Sequence, residues 1–534
     1  MEKYVLGVDF GTLSVRAVLL RARDGAQLAT ASRSYGAYDT ELPGGVPLRP
    51  LGCGAVPEEY RSMFAQAVRE TVRLADVPKE DIAGIAVDST SCTLVTLDAE
   101  GVPLCERERF RREPDAYIKV WKSHSAEAEA RRLMRCAQEM GEPFLNACGH
   151  KVSSEWFYPK MLETLWNAPQ VYEAVQSFLD CADWINFLLT GKIVRSINAM
   201  GIKGFLRAGR YPSEAFLRAV DPAFAGANAK VSGPLARWGE RVGSLTEQAA
   251  AWLGLPAGIA VGCGSIDGHV AVAALGMRQD GDLLLSLGTS NVEALLSATY
   301  SEMPGICAMA RDAAIPGFTL YDAGQAACGD MLAWYMENML PQAAALQAQE
   351  RGISPHTLLS ERGLRTPPDP QGLVALDWFN GNRCPHARAD LRGRIDGLSL
   401  RTRPEQVYRA LVEAMGFGAR QILETMEQNG CAIRRVIACG GTAVKNPDIV
   451  QCYADLLGRE ILVAPLENAA ANGCGVLAAA AAGLYPTLSD AIDAMCTGTS
   501  ARYTPTQAFH PAYDCLYARY QRLGEQALAD AAAD

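Results

Sequence analysis

Histidine is scarce, six in 534 residues, and none of the sixteen cysteines forms a Cys-x-x-Cys pair or has a histidine nearby at zinc spacing. That excludes the common zinc frameworks, and scattered unpaired thiols point to a reducing compartment, the cytoplasm. Basic residues are also in deficit. Fifty Lys and Arg against sixty Asp and Glu give a net charge of −10, so the surface as a whole has no electrostatic attraction for nucleic acid or an anionic membrane. No apolar run reaches the roughly 20 residues that a bilayer requires. The Ala-rich stretch from Ala469 to Gly483 is interrupted by Asn472 and glycines and reads as a buried helix. At the N-terminus the apolar stretch stops at Asp9 with no basic region before it, so no signal peptide is expected.

What remains is ordinary globular composition, 49% hydrophobic and 21% charged, in a chain long enough for two to four domains at about 150 residues each. Alternating apolar and polar residues over Tyr4 to Asp9, Val15 to Leu20 and from Gln27 predict a three-stranded meander. Helical periodicity over Glu58 to Leu74 and a short apolar strand, Ile82 to Val87, follow. Strands alternating with helices define an α/β class. A second apolar strand, Ile259 to Cys263, leads into Gly264-Ser-Ile-Asp-Gly-His269, and a new strand starts at Asp282. The expected organisation is therefore residues 1–280, with a helical insert over about 114–250, and residues 281–534. Gly11-Thr-Leu-Ser-Val-Arg-Ala17 and Gly288-Thr-Ser-Asn-Val-Glu-Ala294 lie 277 residues apart and agree at Gly, Thr, Val and Ala. Each follows a strand that opens a half, which points to two similarly built halves with a cleft between them.

Several short segments carry groups suited to phosphate and hydroxyl chemistry. In Asp9-Phe-Gly-Thr-Leu-Ser14, turn amides and hydroxyls can cradle phosphate while Asp9 holds Mg²⁺ and Arg16 adds a cation; an ordinary hairpin explains the same residues. Gly288-Thr289-Ser290 offers a second such turn. Gly440-Gly441, between a strand and a helix, lets a flat ligand approach backbone, or serves only as a packing turn. Asp267, at a helix start, reads either as a helix cap or as the base that takes a proton from an attacking hydroxyl. Asp88, Ser91, Lys203 and Asp322 lie in or beside turn-like sequence and can bond sugar hydroxyls. His269 reads as a packed residue before it reads as a catalyst.

Together these segments resemble the FGGY family of carbohydrate kinases, from Val5 to about Ala482. The longest match is Gly393-Arg-Ile-Asp-Gly-Leu398, seven further residues, then Gln406-Val-Tyr-Arg-Ala-Leu-Val-Glu413. Gly7-Val-Asp-Phe-Gly-Thr-Leu-Ser14, Val152-Ser-Ser-Glu-Trp156 with Pro159-Lys160, Ala182-Asp-Trp184, Ala323-Gly-Gln325 with Gly329-Asp330, and Lys445-Asn446 are similar to its ketopentose-phosphorylating branch. The resemblance implies two actin-like, ribonuclease-H-like domains closing on ATP and a sugar. It implies Asp267 as base, Asp9 and Asp267 at Mg²⁺, and Asp9, Gly11, Thr12, Ser14, Arg16, Gly288, Thr289, Gly440, Gly441 and Lys445 at the nucleotide. Ser91, Lys203, Asp267 and Asp322 would surround the sugar. Transfer to the C5 hydroxyl of L-ribulose is the expected reaction, and a homodimer is compatible with it. Ser91 replaces the small apolar residue usual in the family and Asp322 the usual Glu, so hydrogen bonds to the sugar are reshaped. Kinases for xylulose, rhamnulose or glycerol, and a non-catalytic actin-like ATP-binding protein, are the alternatives.

Overall fold

The computed structural model describes residues 2–386, 388, 390–496 and 498–533. Two compact units share the chain. The first takes Met1–Arg278, Ala308–Leu320 and Asn468–Thr497; the second takes Gln279–Cys307, Tyr321–Glu467 and Gly498–Asp534. The chain first crosses between the units at Arg278 and Gln279, and residues 308–320 and 468–497 cluster with the first unit, so the second unit is not one continuous stretch.

The first unit is built on strands β1 (Tyr4–Phe10), β2 (Ser14–Arg21), β3 (Gln27–Ser34), β4 (Ile82–Ser89), β5 (Arg241–Ser244) and β6 (Ala260–Gly262), in the sheet order β5-β6-β4-β1-β2-β3. The meander β1-β2-β3 is antiparallel, whereas β1 pairs parallel with β4 and β4 parallel with β6. A parallel neighbour requires a crossover, and helix α1 (Pro57–Ala75) supplies it. Tyr60, Phe64, Val68 and Val72 recur at helical spacing on its buried face, and Phe10 of β1 packs against both Tyr60 and Phe64.

The second unit repeats this plan with β7 (Asp282–Leu287), β8 (Asn291–Ser297), β9 (Thr319–Gln325), β10 (Arg435–Cys439), β11 (Ile461–Val463) and β12 (Ala501–Tyr503), ordered β9-β8-β7-β10-β11-β12. Strand senses correspond as well. β7 is antiparallel to β8 and parallel to β10, β10 is parallel to β11, and β12 is antiparallel to β11. The two Gly-Thr turns occupy the same hairpin in each sheet, so the short internal match reports a duplicated architecture.

The stretch read as a helical insert also contributes strands. Its Ile118–Lys119 and Ser177–Asp180 join Leu94–Leu97 and Gly54–Ala55 in a separate four-stranded sheet, over a core of its own that includes Phe144, Trp156, Tyr158, Phe205 and Phe216. Its shortest strands are only two residues long, too short for periodicity to register.

Two further helices complete the first unit's frame, α2 (Asp267–Ala274) and α3 (Ala469–Ala481). The Ala/Gly sequence of α3 serves close approach. A Cβ added at Gly7 would lie 1.8 Å from the Ala471 carbonyl oxygen, one at Gly84 2.5 Å from that of Ala478, and one at Gly473 2.1 Å from that of Val270. Backbone therefore lies on backbone where β1, β4 and α2 meet α3. Among the described residues no helix is long and apolar enough to cross a membrane. Gly7→Ala is expected to cost the first unit about 1–3 kcal/mol of stability or to prevent its folding. Gly498→Ala, whose added methyl has nothing within 4 Å, should leave urea unfolding followed by circular dichroism unchanged.

Candidate active site

Three carboxylates meet at the carboxyl ends of adjacent parallel strands in the first unit, the edge at which open α/β sheets bind ligands. In the parallel register Asp9 lies opposite Asp88 and Phe10 opposite Ser89. The next strand segment, Ser265–Ile266, pairs with Asp88 and Ser89, and Asp267 follows at the start of α2. Asp88 is fully buried. Its Oδ2 accepts the Cys474 thiol at 3.1 Å, while Oδ1 is buried without a hydrogen-bond partner. Burial, then the charges of Asp9 and Asp267, push the Asp88 carboxyl well above the usual carboxylate range. Burial raises Asp9, with Arg16 Nη1 at 3.9 Å as a partial counter-charge. Asp267 is pushed up to about 7 by burial and then by Asp9, a value suited to accepting a proton near neutral pH. Its Oδ1 also accepts the Gly268 amide at 2.7 Å, a local structural bond that occupies one of the carboxylate's lone-pair sites.

The hairpin turn beside Asp9 is tightly held. Gly11 N–H donates to the Ser14 carbonyl at 3.0 Å, and Trp121 Nε1 donates to Thr12 Oγ1 at 2.9 Å. Ser91 follows β4, next to Cys92, which adopts a left-handed φ of 59°. Lys160, fully buried, fixes this bend by donating to the carbonyls of Cys92 at 2.8 Å and Val120 at 3.0 Å. Lys203 ends the helix Ile197–Lys203, 5.4 Å above the Trp156 ring. Ser91 Oγ lies 3.4 Å from Cys92 Sγ, and burial pushes the Cys92 thiol up to about 12. His269 is buried, its Nδ1 3.2 Å from Asn198 Nδ2, as its packed reading anticipated.

In the second unit the Gly288-Thr289 turn is stitched to the start of the helix Gly329–Asn338. Gly329 N–H donates to the Gly288 carbonyl, and the Cys328 amide to that of Thr289, each at 3.0 Å. Gly440 ends β10 with φ 94°, and a Cβ there would meet the Leu287 carbonyl oxygen at 2.5 Å. Only glycine lets the chain turn this close to the end of β7. Gly441 has open space around it, and Lys445 is exposed at the end of the helix Gly441–Lys445. Asp322 is buried on β9.

Of the residues singled out from the sequence, Asp9, Gly11, Thr12, Ser14, Arg16, Ser91, Lys203 and Asp267 belong to the first unit. Gly288, Thr289, Asp322, Gly440, Gly441 and Lys445 belong to the second. Asp322 is therefore carried by a different unit from Ser91 and Lys203. Sequence reasoning gave Asp88 a weak role as a hydroxyl partner and missed its place beside Asp9; the matching strand ends Val8-Asp9 and Val87-Asp88 were the available signal. Glu293 on β8 was missed altogether, and nothing in Val292-Glu-Ala294 marks it. It is fully buried with neither carboxyl oxygen hydrogen-bonded.

The N-terminal domain model of the FGGY family of carbohydrate kinases matches residues 4–276, and the C-terminal domain model matches 283–482. The chain belongs to the FGGY family of carbohydrate kinases. It is 39% identical to the ribulokinase of Mycolicibacterium smegmatis, over 98% of this chain and 93% of the relative. The ribulokinase of Geobacillus thermodenitrificans is 38% identical over 98% and 94%. Among solved structures, the xylulose kinase of Rhodospirillum rubrum superposes with a TM-score of 0.82 at 25% identity, covering 98% of this chain and 99% of that one.

Burial, followed by the charges of Asp377, Cys307 and Asp322, pushes Glu293 up to about 8. A carboxyl raised in the folded state stabilises it fully below the unfolded value, and that stability is lost as pH rises through the folded value. Glu293→Gln is expected to melt at a higher temperature than the wild type at about pH 9, with the difference shrinking toward about pH 5. A difference independent of pH would show that Glu293 is not a buried unpaired acid.

Proposed function

We propose that the chain transfers the γ-phosphoryl group of ATP to the C5 hydroxyl of L-ribulose, giving L-ribulose 5-phosphate and ADP. The observation that carries this reading is the likeness to ribulokinases at 36–39% identity over nearly the whole chain. The chemistry available at Asp267 supports it. A carboxyl held near neutrality by burial is suited to taking the C5 hydroxyl proton as the oxygen attacks phosphorus, a role worth typically about 10²–10⁴-fold. The first unit would hold the sugar, with Lys203 donating to its hydroxyls and Ser91 reading its stereochemistry. The second would hold ATP, the Gly288-Thr289 turn amides on its phosphates and Gly440-Gly441 beside the adenosine.

Mg²⁺ fits the residues present. Asp9, Asp88 and Asp267 offer hard oxygen donors, and Asp88 Oδ1 is buried without a partner. Among the described residues no group of three His, Cys, Asp or Glu side chains closes a metal shell by itself, as expected for an ion held through one or two carboxylates plus water and substrate phosphates. Asp9 and Asp267 would hold it, and when bound it neutralises charge on the transferring phosphate. Arg16, beside Asp9, would steady that carboxylate. None of the sixteen cysteines is in a disulfide, which fits work in the reducing cytoplasm.

Coupled ADP-release assays over L-ribulose, xylulose, rhamnulose and glycerol test the substrate directly. L-Ribulose is expected to give the highest kcat/KM, and preference for any of the others contradicts the reading. Lys203→Met should raise the sugar KM by roughly tenfold or more, as loss of a charged hydrogen bond does, with the ATP KM little changed.

A further inference from the structure

Two cysteines of the second unit, 77 residues apart in sequence, lie sulfur to sulfur. Cys307 Sγ is 3.1 Å from Cys384 Sγ. The approach is built by backbone. Gly305 adopts φ 82°, and a Cβ there would meet the Pro385 carbonyl oxygen at 2.6 Å and Pro385 Cβ at 2.8 Å. The segments around the two cysteines therefore touch where no side chain intervenes. The thiols differ in access. Cys307 is partly exposed, whereas Cys384 is 2% exposed. The Cys307 contact, and after it burial, raise the Cys384 thiol above its usual range. An accessible sulfur against a buried one is the arrangement in which the first is oxidised and the second resolves it.

We propose that Cys307 and Cys384 are a redox modification site: a hydroperoxide converts the pair to an intramolecular disulfide. In the first step Cys307 thiolate attacks the peroxide O–O bond, forming a sulfenic acid and releasing the alcohol, or water from hydrogen peroxide. In the second, Cys384 sulfur attacks the sulfenic sulfur; the S–S bond forms, and the departing hydroxide leaves as water with the Cys384 proton. Two thiols and one hydroperoxide thus give one disulfide, one alcohol and one water. A thiol reductant reverses the change by exchange. The sulfurs must close to about 2.0 Å, a movement of about 1 Å.

The full chain is treated with hydrogen peroxide, digested without reduction and mapped by mass spectrometry. Expected is a Cys307–Cys384 cross-linked peptide that dithiothreitol removes and that is absent in both Cys307→Ser and Cys384→Ser. Oxidation of exposed Cys515 without that cross-link overturns the proposal. If no sugar is phosphorylated, the functional reading fails, while the cross-linked peptide still decides whether the pair reacts.

Discussion

Asp9 and Asp88 face each other across two parallel strands, and this register obliges the first unit to bury like charges side by side. Desolvation and mutual repulsion both favour protonation. The usual remedy, a full complement of internal partners, is withheld: Asp88 Oδ1 has none, and Arg16 stands 3.9 Å from Asp9. Asp267 follows the neighbouring strand segment, and burial, then Asp9, push its carboxyl up to about 7. The raised carboxyls at this edge thus follow from strand register together with burial.

That register depends in turn on small residues. Strands β1 and β4 hold their positions because α3 lies directly on them, with Gly7 and Gly84 accepting its carbonyls. Cys474 of the same helix donates to Asp88. One Ala/Gly helix therefore sets both the packing and the hydrogen bonding of a central carboxylate. The second unit uses the same sheet order with different chemistry. Where the first hairpin carries Arg16, the second carries Glu293, and the Gly440 and Gly288 turns expose backbone instead of carboxylates. Duplication supplied two equivalent strand ends, and divergence gave one acids and the other amides.

Much of this was legible locally. The meander, the strand before Asp88, the strand starting at Asp282 and the placement of Asp267 at a helix start follow from alternation, turn residues and apolar runs. The Gly-Thr repeat exposed the duplication. Features set by contacts distant in sequence were not legible. The partnership of Asp9 with Asp88 requires knowing that β1 and β4 are parallel neighbours, and Ala469–Ala481 reads as a buried helix without revealing which unit it joins. The small four-stranded sheet is not legible because it gathers two- and four-residue strands from distant parts of the chain, residues 54–55, 94–97, 118–119 and 177–180. The Cys307–Cys384 contact and the unpartnered carboxyl of Glu293 arise from folding alone.

The central claim is that Asp267 accepts the proton of the attacking sugar hydroxyl. Sugar-dependent ADP release by Asp267→Asn, with sugar and ATP affinities checked by calorimetry, measures it directly. The account predicts a fall in kcat of at least about 10²-fold with both ligands still bound, in line with the loss of a general base. A rate within about threefold of the wild type would contradict it.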